Sequence, residues 1–211
     1  MCFHSKQSKK AQTVEHRFNA KIEQLDIFEP SEHINAFAYP YSPVITDDKP
    51  GLIQQYKWGL IPSWSKDEDI RQFTINARIE TIKEKPAFRN SVNKRCLVIA
   101  DGFYEWKWLD SSGKRKNKYL IALPDNELYA YGGIYSEWVD KNTGEIINTY
   151  SIVTTEANTV VAEIHKKKRM PIILKPEDEK NWLDGMEINE FAYPYSRDLV
   201  AVNLDGNPTL F

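Results

Sequence analysis

The sequence predicts an α+β fold built on a mostly antiparallel, barrel-like β-sheet with a few peripheral helices. Three observations lead to this prediction. Short apolar or alternating runs of strand length are separated by turns that contain Pro and Gly. Patterns typical of amphipathic helices are few. No linker rich in Pro, Gly or Ser divides the 211 residues, so we expect residues 1–211 to form one domain.

Five segments have the length and apolar character of β-strands. They span residues 97–100, 119–123, 128–134, 146–154 and 171–174. Turn signals between them are Ser112-Gly113, Pro124-Asp125 and Asn142-Thr143-Gly144. Asp101-Gly102, directly after the first segment, indicates a turn or bulge where a buried strand ends. Short strands that alternate with turns favour a barrel-like sheet.

Three segments have patterns typical of helices. Apolar residues recur at helical spacing over residues 11–28. Residues 155–164 are expected to open a second helix. Pro176 is followed by three acidic residues, a composition that a helix N-terminus favours, and the segment runs on to Trp182 and Leu183. We therefore expect a third helix that begins near Pro176.

The composition is that of a folded, soluble protein. Apolar residues make up 41% of the chain and aromatic residues 12%, which supplies a sizeable core and excludes a disordered chain. Two cysteines are too few for a disulfide framework. No apolar run approaches the ~20 residues of a membrane span, and the first ten residues lack the apolar stretch of a secretory signal. We expect a monomeric, cytoplasmic protein with no membrane contact.

Positive charge is concentrated in one part of the chain, although the net charge is −2. Between Arg71 and Leu120, twelve Lys and Arg residues stand against five Asp and Glu residues. A second basic cluster, residues 166–169, follows His165. The net charge argues against a protein that coats nucleic acid by bulk electrostatics. Two interpretations of the clusters are open: solvated lysine-rich loops, or a groove that binds a phosphate backbone.

Cys2 is the first residue with distinctive chemistry. Met1 is normally removed when the next residue is small, and its removal would leave Cys2 with a free α-amine and a thiol on adjacent carbons. The reference pKa is ~7.7–8.0 for the amine and ~8.5 for the thiol, so both supply nucleophile near neutral pH. Such a 1,2-aminothiol condenses with an aldehyde to an imine and then closes to a thiazolidine. The alternative is an incidental terminal cysteine.

The segment that begins at Trp58 contains candidate contacts for nucleic acid. Trp58 and Trp64 flank a loop broken by Gly and Pro, and their rings either stack on bases or lie in the core. Asn76 offers amide donors and an acceptor. The planar guanidinium of Arg78 suits a phosphate, and pairing with Glu80 or another acid on the surface is the alternative.

Glu105 and His165 are candidate acid–base groups. Glu105 lies between aromatic residues, where burial would raise the pKa of its carboxyl toward neutrality; a plain salt bridge is the alternative. The cations after His165 should lower its pKa by repulsion and keep the ring neutral. Cys96, within a predicted strand, is most simply a core thiol. Cys2 and His4 are too few ligands for zinc, so we expect no metal site.

Together these segments resemble the SOS-response-associated peptidase (SRAP) family, whose members crosslink to abasic sites in single-stranded DNA. The motifs follow the family's order and cover nearly the whole chain. They are Met1-Cys2, W-G-L-x-P-x-W at 58–64, N-A-R-x-E-T at 76–81, D-G-F-Y-E-W at 101–106, and His165 ahead of Arg169-Met170-Pro171. The resemblance implies a SRAP-like fold and a role in DNA repair.

The resemblance also implies roles for individual residues. Cys2, freed by removal of Met1, would bond the abasic aldehyde as a thiazolidine. Asn76 would position the N-terminus and the lesion, Glu105 would act as acid or base at the amine, and His165 would assist opening of the sugar ring. The family is credited with self-cleavage ahead of the cysteine, so the resemblance implies that the chain is an enzyme. No cofactor is implied.

Single-stranded DNA that contains an abasic site is the implied partner. Arg78 would hold the phosphate beside the lesion. The other expected DNA contacts are Trp58, Trp64, Arg89 and Arg169. Arg89 is included for its charge and for its place in the basic segment. Bound to DNA, the protein would be associated with the nucleoid.

Two positions depart from the family's pattern, and two other functions stay open. The usual opening Cys-Gly-Arg is Cys2-Phe3-His4 here, which removes an arginine near the lesion. Three lysines, where the family commonly has one residue, separate His165 from Arg169. The alternatives are a cysteine peptidase that acts on other proteins and a non-catalytic module that binds single-stranded DNA. The basic segment disfavours the first, and a terminal Cys with a nearby Glu and His disfavours the second.

Overall fold

The computed structural model describes residues 2–206, with thirteen strands and three α-helices in that part of the chain. The strands are β1 (His4–Gln7), β2 (Lys21–Ile22), β3 (Ser31–Asn35), β4 (Tyr41–Thr46), β5 (Leu52–Trp58), β6 (Asn76–Arg78), β7 (Arg95–Ala100), β8 (Gly102–Trp108), β9 (Lys116–Ala122), β10 (Tyr129–Val139), β11 (Ile146–Glu156), β12 (Arg169–Pro171) and β13 (Val200–Asn203). The helices are α1 (Ala11–Phe18), α2 (Thr159–Ala162) and α3 (Pro176–Leu183). Met1, whose removal the sequence predicts, lies outside the described residues.

Five strands form a closed barrel in the order β4, β5, β11, β10 and β7. Neighbours in the barrel are antiparallel, except that β5 and β11 run parallel where the barrel closes. Closure pairs the two strands that would otherwise be left as open sheet edges. The barrel confirms the predicted fold class, a mostly antiparallel, barrel-like sheet with few helices.

A second sheet holds the N-terminal segment beside the barrel. Its order is β13, β9, β8, β1 and β3, and every pair is antiparallel. Only Asp101 separates β7 from β8, as the Asp101-Gly102 signal predicts. The Asp101 carboxylate accepts hydrogen bonds from the hydroxyl and the backbone N–H of Ser8 (2.5 and 3.1 Å). These bonds tie the segment after β1 to the junction of the two sheets.

The predicted helices are confirmed in part. The helix predicted over residues 11–28 is wrong beyond Phe18, because Asn19 adopts the left-handed conformation (φ 48°) that ends α1. α2 begins only after β11 ends, with Asn158 as its N-cap. α3 begins at Pro176, as predicted. None of the helices in residues 2–206 is long and apolar enough to cross a membrane.

β7 is buried on both faces, which explains its continuous apolar sequence. Cys96, Val98 and Ala100 belong to one hydrophobic cluster, whereas Leu97 and Ile99 belong to another. Alternate side chains of a strand point to opposite faces, so this wall of the barrel separates two cores. Cys96 is therefore a core thiol, as predicted.

Candidate functional site

Cys2 lies in the interior, immediately before β1. The residue is fully buried, and its thiol donates a hydrogen bond to the backbone carbonyl of His4 (Sγ–O 3.8 Å). Burial raises the pKa of the thiol, and the nearby Glu105 carboxylate raises it further. Cys2 therefore carries a protonated thiol at neutral pH.

Asn76 connects the N-terminal segment to the barrel. It begins β6, which pairs in parallel with β11 and places Asn76 opposite Ile152. The Asn76 side chain donates a hydrogen bond to the Cys2 carbonyl (Nδ2–O 2.8 Å). Its Oδ1 atom is buried and has no hydrogen-bond partner within residues 2–206. Because a buried acceptor without a partner costs stability, Oδ1 is a candidate acceptor for an N–H group at this site.

Glu105 projects from β8 into the same region. Antiparallel pairing of β1 with β8, Ser5 opposite Phe103, brings the N-terminal segment alongside this strand. Glu105 is 6% exposed, and its Oε1 atom has no hydrogen-bond partner within the described chain. Burial raises the pKa of the carboxyl to about 7, in the direction that the sequence predicts. Both the acid and the base form are therefore populated at neutral pH.

His165 faces Glu105 from the loop after α2. Its Nδ1 accepts a hydrogen bond from the Arg169 backbone N–H (3.1 Å), so a neutral ring carries its proton on Nε2. Nε2 lies 3.9 Å from Oε2 of Glu105. Burial lowers the pKa of His165 to about 4, and the charges of Lys167 and Arg169 contribute. The predicted neutral imidazole is confirmed, with burial rather than charge repulsion as its main cause.

The three lysines before Arg169 form a turn that keeps His165 in place. The Lys168 backbone N–H donates to the His165 carbonyl (2.8 Å), and Lys168 has a left-handed conformation (φ 47°). His165 also forms an isolated β-bridge with Lys107 of β8. These backbone contacts hold His165 next to β8 although its spacing to Arg169 is longer than the family's.

Glu105 and His165 line a cleft of about 460 Å³. Its other lining residues are aromatic or basic: Phe3, Trp106, Trp108, Lys116, Lys166 and Lys167. Phe3 follows Cys2 directly, so the candidate nucleophile adjoins this cleft. Flat apolar rings together with ammonium groups suit a ligand that combines planar groups with negative charge.

One face of the β8–β9 hairpin carries the aromatic–lysine strip, defined as Tyr104, Trp106, Trp108, Lys116 and Lys118. Cross-strand pairing places Lys118 opposite Trp106 and Lys116 opposite Trp108. Each ring has a lysine ammonium group 3.7–5.6 Å from its centroid, the closest being Lys166 over Trp108. Single-stranded nucleic acids bind to such surfaces because bases stack on the rings and phosphates are attracted to the cations.

Trp58 belongs to the core. It is fully buried, and its indole N–H donates a hydrogen bond to the Ile75 carbonyl (2.9 Å). Its ring stacks on Tyr150, with centroids 6.0 Å apart. A base reaches this ring only if the core opens, so the prediction that Trp58 stacks on DNA is wrong. Its hydrogen bond instead fixes the residue before Asn76.

Arg169 supports the site through an ion pair. Its guanidinium donates to both carboxylate oxygens of Glu80 (2.5 and 2.9 Å) and to the Thr154 carbonyl (2.8 Å). The side chain is 12% exposed. Protein acceptors engage both terminal nitrogens of the guanidinium, which assigns Arg169 a structural role in this conformation, and its contact with DNA stays a prediction. Glu80 forms its ion pair with Arg169, so it is not the hydrogen-bonded partner of Arg78.

Three of the predicted DNA contacts are on the surface. Arg78 follows Asn76 by two residues in β6, so both side chains leave the strand on the same face. Trp64 is 50% exposed, and its indole N–H bonds the Pro86 carbonyl (3.3 Å). That bond ties its loop to the segment that carries the exposed Arg89. Contact of these side chains with DNA stays a prediction.

His4 stands where the family commonly has arginine. Its Nδ1 lies 2.9 Å from Nε2 of His33, and its ring meets Trp106 edge-on with centroids 4.7 Å apart. Burial lowers the pKa of His4 to about 4, so this residue is neutral near pH 7. Within residues 2–206, no three or more His, Cys, Asp or Glu side chains are arranged to hold a metal ion.

The aromatic–lysine strip was not predicted, although the sequence contains a signal for it. Besides flanking Glu105, Trp106 belongs to a repeating pattern. Aromatic residues at every second position from 104 to 108, with lysines at 116 and 118, are typical of one face of a hairpin. The net charge of the basic segment indicates the candidate DNA-binding surface less well than this spacing does. One of its cations, Arg95, is buried with its guanidinium over Trp182 (4.6 Å).

Comparisons with known proteins agree with this architecture. The family described as SOS response associated peptidase (SRAP) matches residues 1–204. Abasic site processing protein YoaM of Bacillus subtilis is 41% identical over 195 residues, which cover 86% of this chain and 83% of the relative. Abasic site processing protein HMCES of Gallus gallus is 32% identical over 166 residues, 67% of this chain and 48% of that protein.

Solved structures share the fold. The crystal structure of a Bacteroides thetaiotaomicron protein superimposes with a TM-score of 0.85 at 35% identity, and the match covers 96% of this chain and 91% of that one. A Bordetella bronchiseptica protein superimposes with a TM-score of 0.80 at 24% identity, covering 96% and 99% of the two chains. The second likeness supports the fold alone.

Proposed function

Because the chain belongs to the SOS response associated peptidase (SRAP) family, we propose that it is an enzyme that processes abasic sites in single-stranded DNA. The observation that carries this proposal is the convergence of four chemically suited residues from separate segments of the chain. Glu105 and His165 line one cleft, and Cys2, held by Asn76, is buried directly behind it, one residue from the cleft-lining Phe3. In the proposed reaction, Cys2 forms a thiazolidine with the aldehyde of the abasic sugar after Met1 has been removed.

The first step opens the abasic sugar. In its closed form, C1′ carries a hydroxyl group and is bonded to the ring oxygen O4′. Glu105 as carboxylate takes the hydroxyl proton, the C1′–O4′ bond breaks with its electron pair on O4′, and Glu105 passes the proton on to O4′. His165 assists by donating a hydrogen bond from Nε2 to the developing alkoxide. The position of Nε2 beside the Glu105 carboxylate supports this division of roles.

The second step joins the α-amine of Cys2 to C1′. The nitrogen adds to C1′, the C=O π bond breaks, and one amine proton passes through Glu105 to the oxygen to give a carbinolamine. Glu105 then protonates that hydroxyl group, the C1′–O bond breaks to release water, and the remaining N–H proton returns to Glu105, which leaves an imine. A carboxyl with a pKa of about 7 both accepts and donates protons at neutral pH. Asn76 holds the Cys2 carbonyl at 2.8 Å and offers its unpartnered Oδ1 to the amine.

The third step closes the thiazolidine. The Cys2 sulfur adds to the imine carbon, the S–C1′ bond forms, and the thiol proton passes through Glu105 to the nitrogen. In total, one aldehyde, one amine and one thiol give one thiazolidine and one water. Because burial keeps the thiol protonated, the amine attacks first and the thiol follows.

The reaction requires a free α-amine at Cys2. Self-cleavage would supply it: the Cys2 thiol attacks the Met1 carbonyl carbon, the peptide nitrogen becomes the free amine, and water hydrolyses the resulting thioester. The family's description as a peptidase supports this step. Asn76 anchors the residue on the other side of the cleaved bond through its hydrogen bond to the Cys2 carbonyl.

Single-stranded DNA is the proposed substrate, because stacking on the aromatic–lysine strip requires unpaired bases. The strip contributes two tryptophans and a lysine to the cleft that contains Glu105. Arg78, on the same face of β6 as Asn76, is placed to hold a phosphate near the lesion. Trp64 and Arg89 extend the proposed binding surface along the neighbouring loops.

The decisive experiment uses single-stranded DNA that bears one abasic site. After incubation with the purified protein, a denaturing gel should show a heat-stable protein–DNA band. Cys2→Ala should abolish the band, because it removes the sulfur that closes the ring. Cys96→Ala, which removes the other thiol of the chain, should retain it. Equal loss in both variants would contradict Cys2 as the nucleophile, and the N-terminal mass reports removal of Met1.

The same experiment separates two other functions. A cysteine peptidase that acts on other proteins would cleave a peptide in a Cys2-dependent way and give no DNA adduct. A non-catalytic module would bind intact and abasic strands without a covalent band. The aromatic–lysine strip has no evident use on a peptide, and a binding module has no need of the buried Glu105 and Cys2.

A further inference from the structure

We propose that Phe3 takes the place of the missing base when an abasic strand binds, and so makes the site selective for nucleotides without a base. This inference rests on the proposed function. Phe3 follows the candidate nucleophile in the chain and lines the same cleft as Glu105 and His165. A phenyl ring therefore borders the volume that would receive the lesion.

The chain on both sides of Phe3 is anchored. The Phe3 carbonyl accepts a hydrogen bond from the Ala36 backbone N–H (2.9 Å). The preceding carbonyl, that of Cys2, accepts one from the Asn76 side chain (2.8 Å). The Phe3 ring also packs against the buried cluster that contains Cys2. These contacts hold the ring at one position beside the nucleophile.

Phe37 continues from Phe3 towards solvent. The two ring centroids are 4.9 Å apart and the ring planes are inclined by 34°. Phe37 is 53% exposed, and its backbone N–H donates to the Asn35 side chain (3.1 Å), which fixes the short turn that carries it. An exposed ring that packs at a tilt against a cleft-lining ring presents an apolar face to a neighbouring base.

A phenyl ring has the flat apolar shape of a small base, which gives it opposite effects on the two kinds of nucleotide. At an abasic nucleotide, the Phe3 ring fills the gap and stacks on the adjacent base. At an intact nucleotide, the base and the ring compete for one volume, so C1′ is kept away from Cys2. The aromatic–lysine strip does not discriminate in this way, because its rings and ammonium groups attract any single strand.

Binding without the covalent step tests this inference. Equilibrium binding to a single strand that contains tetrahydrofuran, an abasic analogue without an aldehyde, is compared with binding to the intact strand. The wild-type protein should prefer the analogue, and Phe3→Gly should reduce that preference about tenfold, as expected for one lost stacking contact. Phe37→Ala should reduce it less. Phe73→Ala, which removes a phenylalanine that is 76% exposed and outside the cleft lining, should leave it unchanged.

An unchanged preference in folded Phe3→Gly overturns the inference. Thermal unfolding and the N-terminal mass establish that each variant is folded and has lost Met1. If Phe3→Gly does not fold, Phe3→Leu replaces it in the binding experiment, because leucine keeps apolar volume but lacks the flat ring. An unchanged preference for the analogue in Phe3→Leu would also contradict the inference. Crosslinking to abasic DNA by the wild type tests the proposed function separately. A protein that crosslinks yet shows no Phe3-dependent preference contradicts only this inference.

Discussion

A buried reactive cluster and the partly exposed aromatic–lysine strip meet at one cleft, and they differ in solvent exposure and in charge. The reactive cluster, which we define as Cys2, Asn76, Glu105 and His165, is almost entirely withdrawn from solvent. Burial shifts the pKa of each of its three titratable groups towards the uncharged form. The aromatic–lysine strip lies partly open to solvent and keeps its ammonium groups over aromatic rings. The cluster is therefore shielded from solvent, whereas the strip offers positive charge to a ligand.

This difference separates chemistry from binding. Proton transfers between uncharged, buried groups depend on pKa values and on geometry, and salt screens them little. Attraction between lysines and phosphates depends on released counterions and weakens steeply with salt. Changes in the cluster should therefore alter reaction rates, and changes in the strip should alter affinity and its salt dependence.

The largest effect is expected from the acid–base pair of the cluster. Glu105→Ala and His165→Ala should each slow crosslinking to ordinary abasic DNA ~10²–10⁴-fold, the usual contribution of a general acid or base. With an aldehyde that cannot close to a ring, His165→Ala should react at nearly the wild-type rate, because its proposed role ends when the sugar opens. Glu105→Ala should stay slow. Quenched time courses on denaturing gels measure both rates.

Equal slowing of His165→Ala on both substrates would show that His165 acts after the sugar has opened. Lys141→Ala, in the turn between β10 and β11, serves as the control and should react at the wild-type rate with both. Unchanged binding to intact single-stranded DNA in the Glu105 and His165 variants would confine their defects to chemistry.

Replacing Glu105 by Gln should have a smaller effect, a change in the free energy of unfolding that depends on pH. Burial raises the pKa of Glu105 to about 7 in the folded protein, whereas an unfolded chain has the ordinary value of ~4.3. The folded state binds this proton more tightly, so ionisation of Glu105 destabilises the fold increasingly as pH rises from ~4 to ~7. Relative to the wild type, the free energy of unfolding of Glu105→Gln should therefore increase over this range and level off above it.

Urea unfolding at several pH values measures this difference. Glu145→Gln, at an exposed position between β10 and β11, is the matched control and should show no such trend. A difference for Glu105→Gln that does not vary with pH would contradict the raised pKa. A trend of opposite sign would mean that a partner stabilises the carboxylate.

The smallest effect is expected from single cations of the proposed DNA-binding surface, namely two lysines of the strip and Arg78. Each phosphate contact that is lost should flatten the slope of log K against log salt for single-stranded DNA by about 0.7. Lys116→Ala, Lys118→Ala and Arg78→Ala should each do so, and their crosslinking rates at saturating DNA should stay close to the wild type. Lys141→Ala again provides the control. Unchanged slopes in all three variants would place the bound strand away from these cations.

Several features could be predicted because their causes are local in the sequence. Three strands of the barrel, β7, β10 and β11, follow from short apolar runs and turn residues, whereas β4 and β5 were not predicted. α3 follows from Pro176 and the acids after it. The uncharged state of His165 and the raised pKa of Glu105 were also foreseen. Their aromatic and basic neighbours in the chain indicated a buried setting and nearby cations.

Contacts between distant segments could not be predicted in the same way. Trp58 and Trp106 are both tryptophans flanked by motif residues, yet Trp58 is fully buried and Trp106 lines the cleft. The guanidinium of Arg169 is bound by Glu80, which lies 89 residues away in the chain. No local pattern distinguishes a tryptophan in the core from one that is available to a base, or a paired arginine from one on the surface.

The sequence by itself therefore determined the barrel-like architecture, the family and the kinds of residue that could carry the chemistry. Only the tertiary structure decided which of them meet: Asn76 binds the Cys2 carbonyl 74 residues away, and His165 faces Glu105 through a loop of unusual length. The physical reason is the range of the forces involved. Backbone propensity and hydrophobic periodicity act over a few neighbours, whereas burial and pairing depend on segments that only the closed barrel brings together.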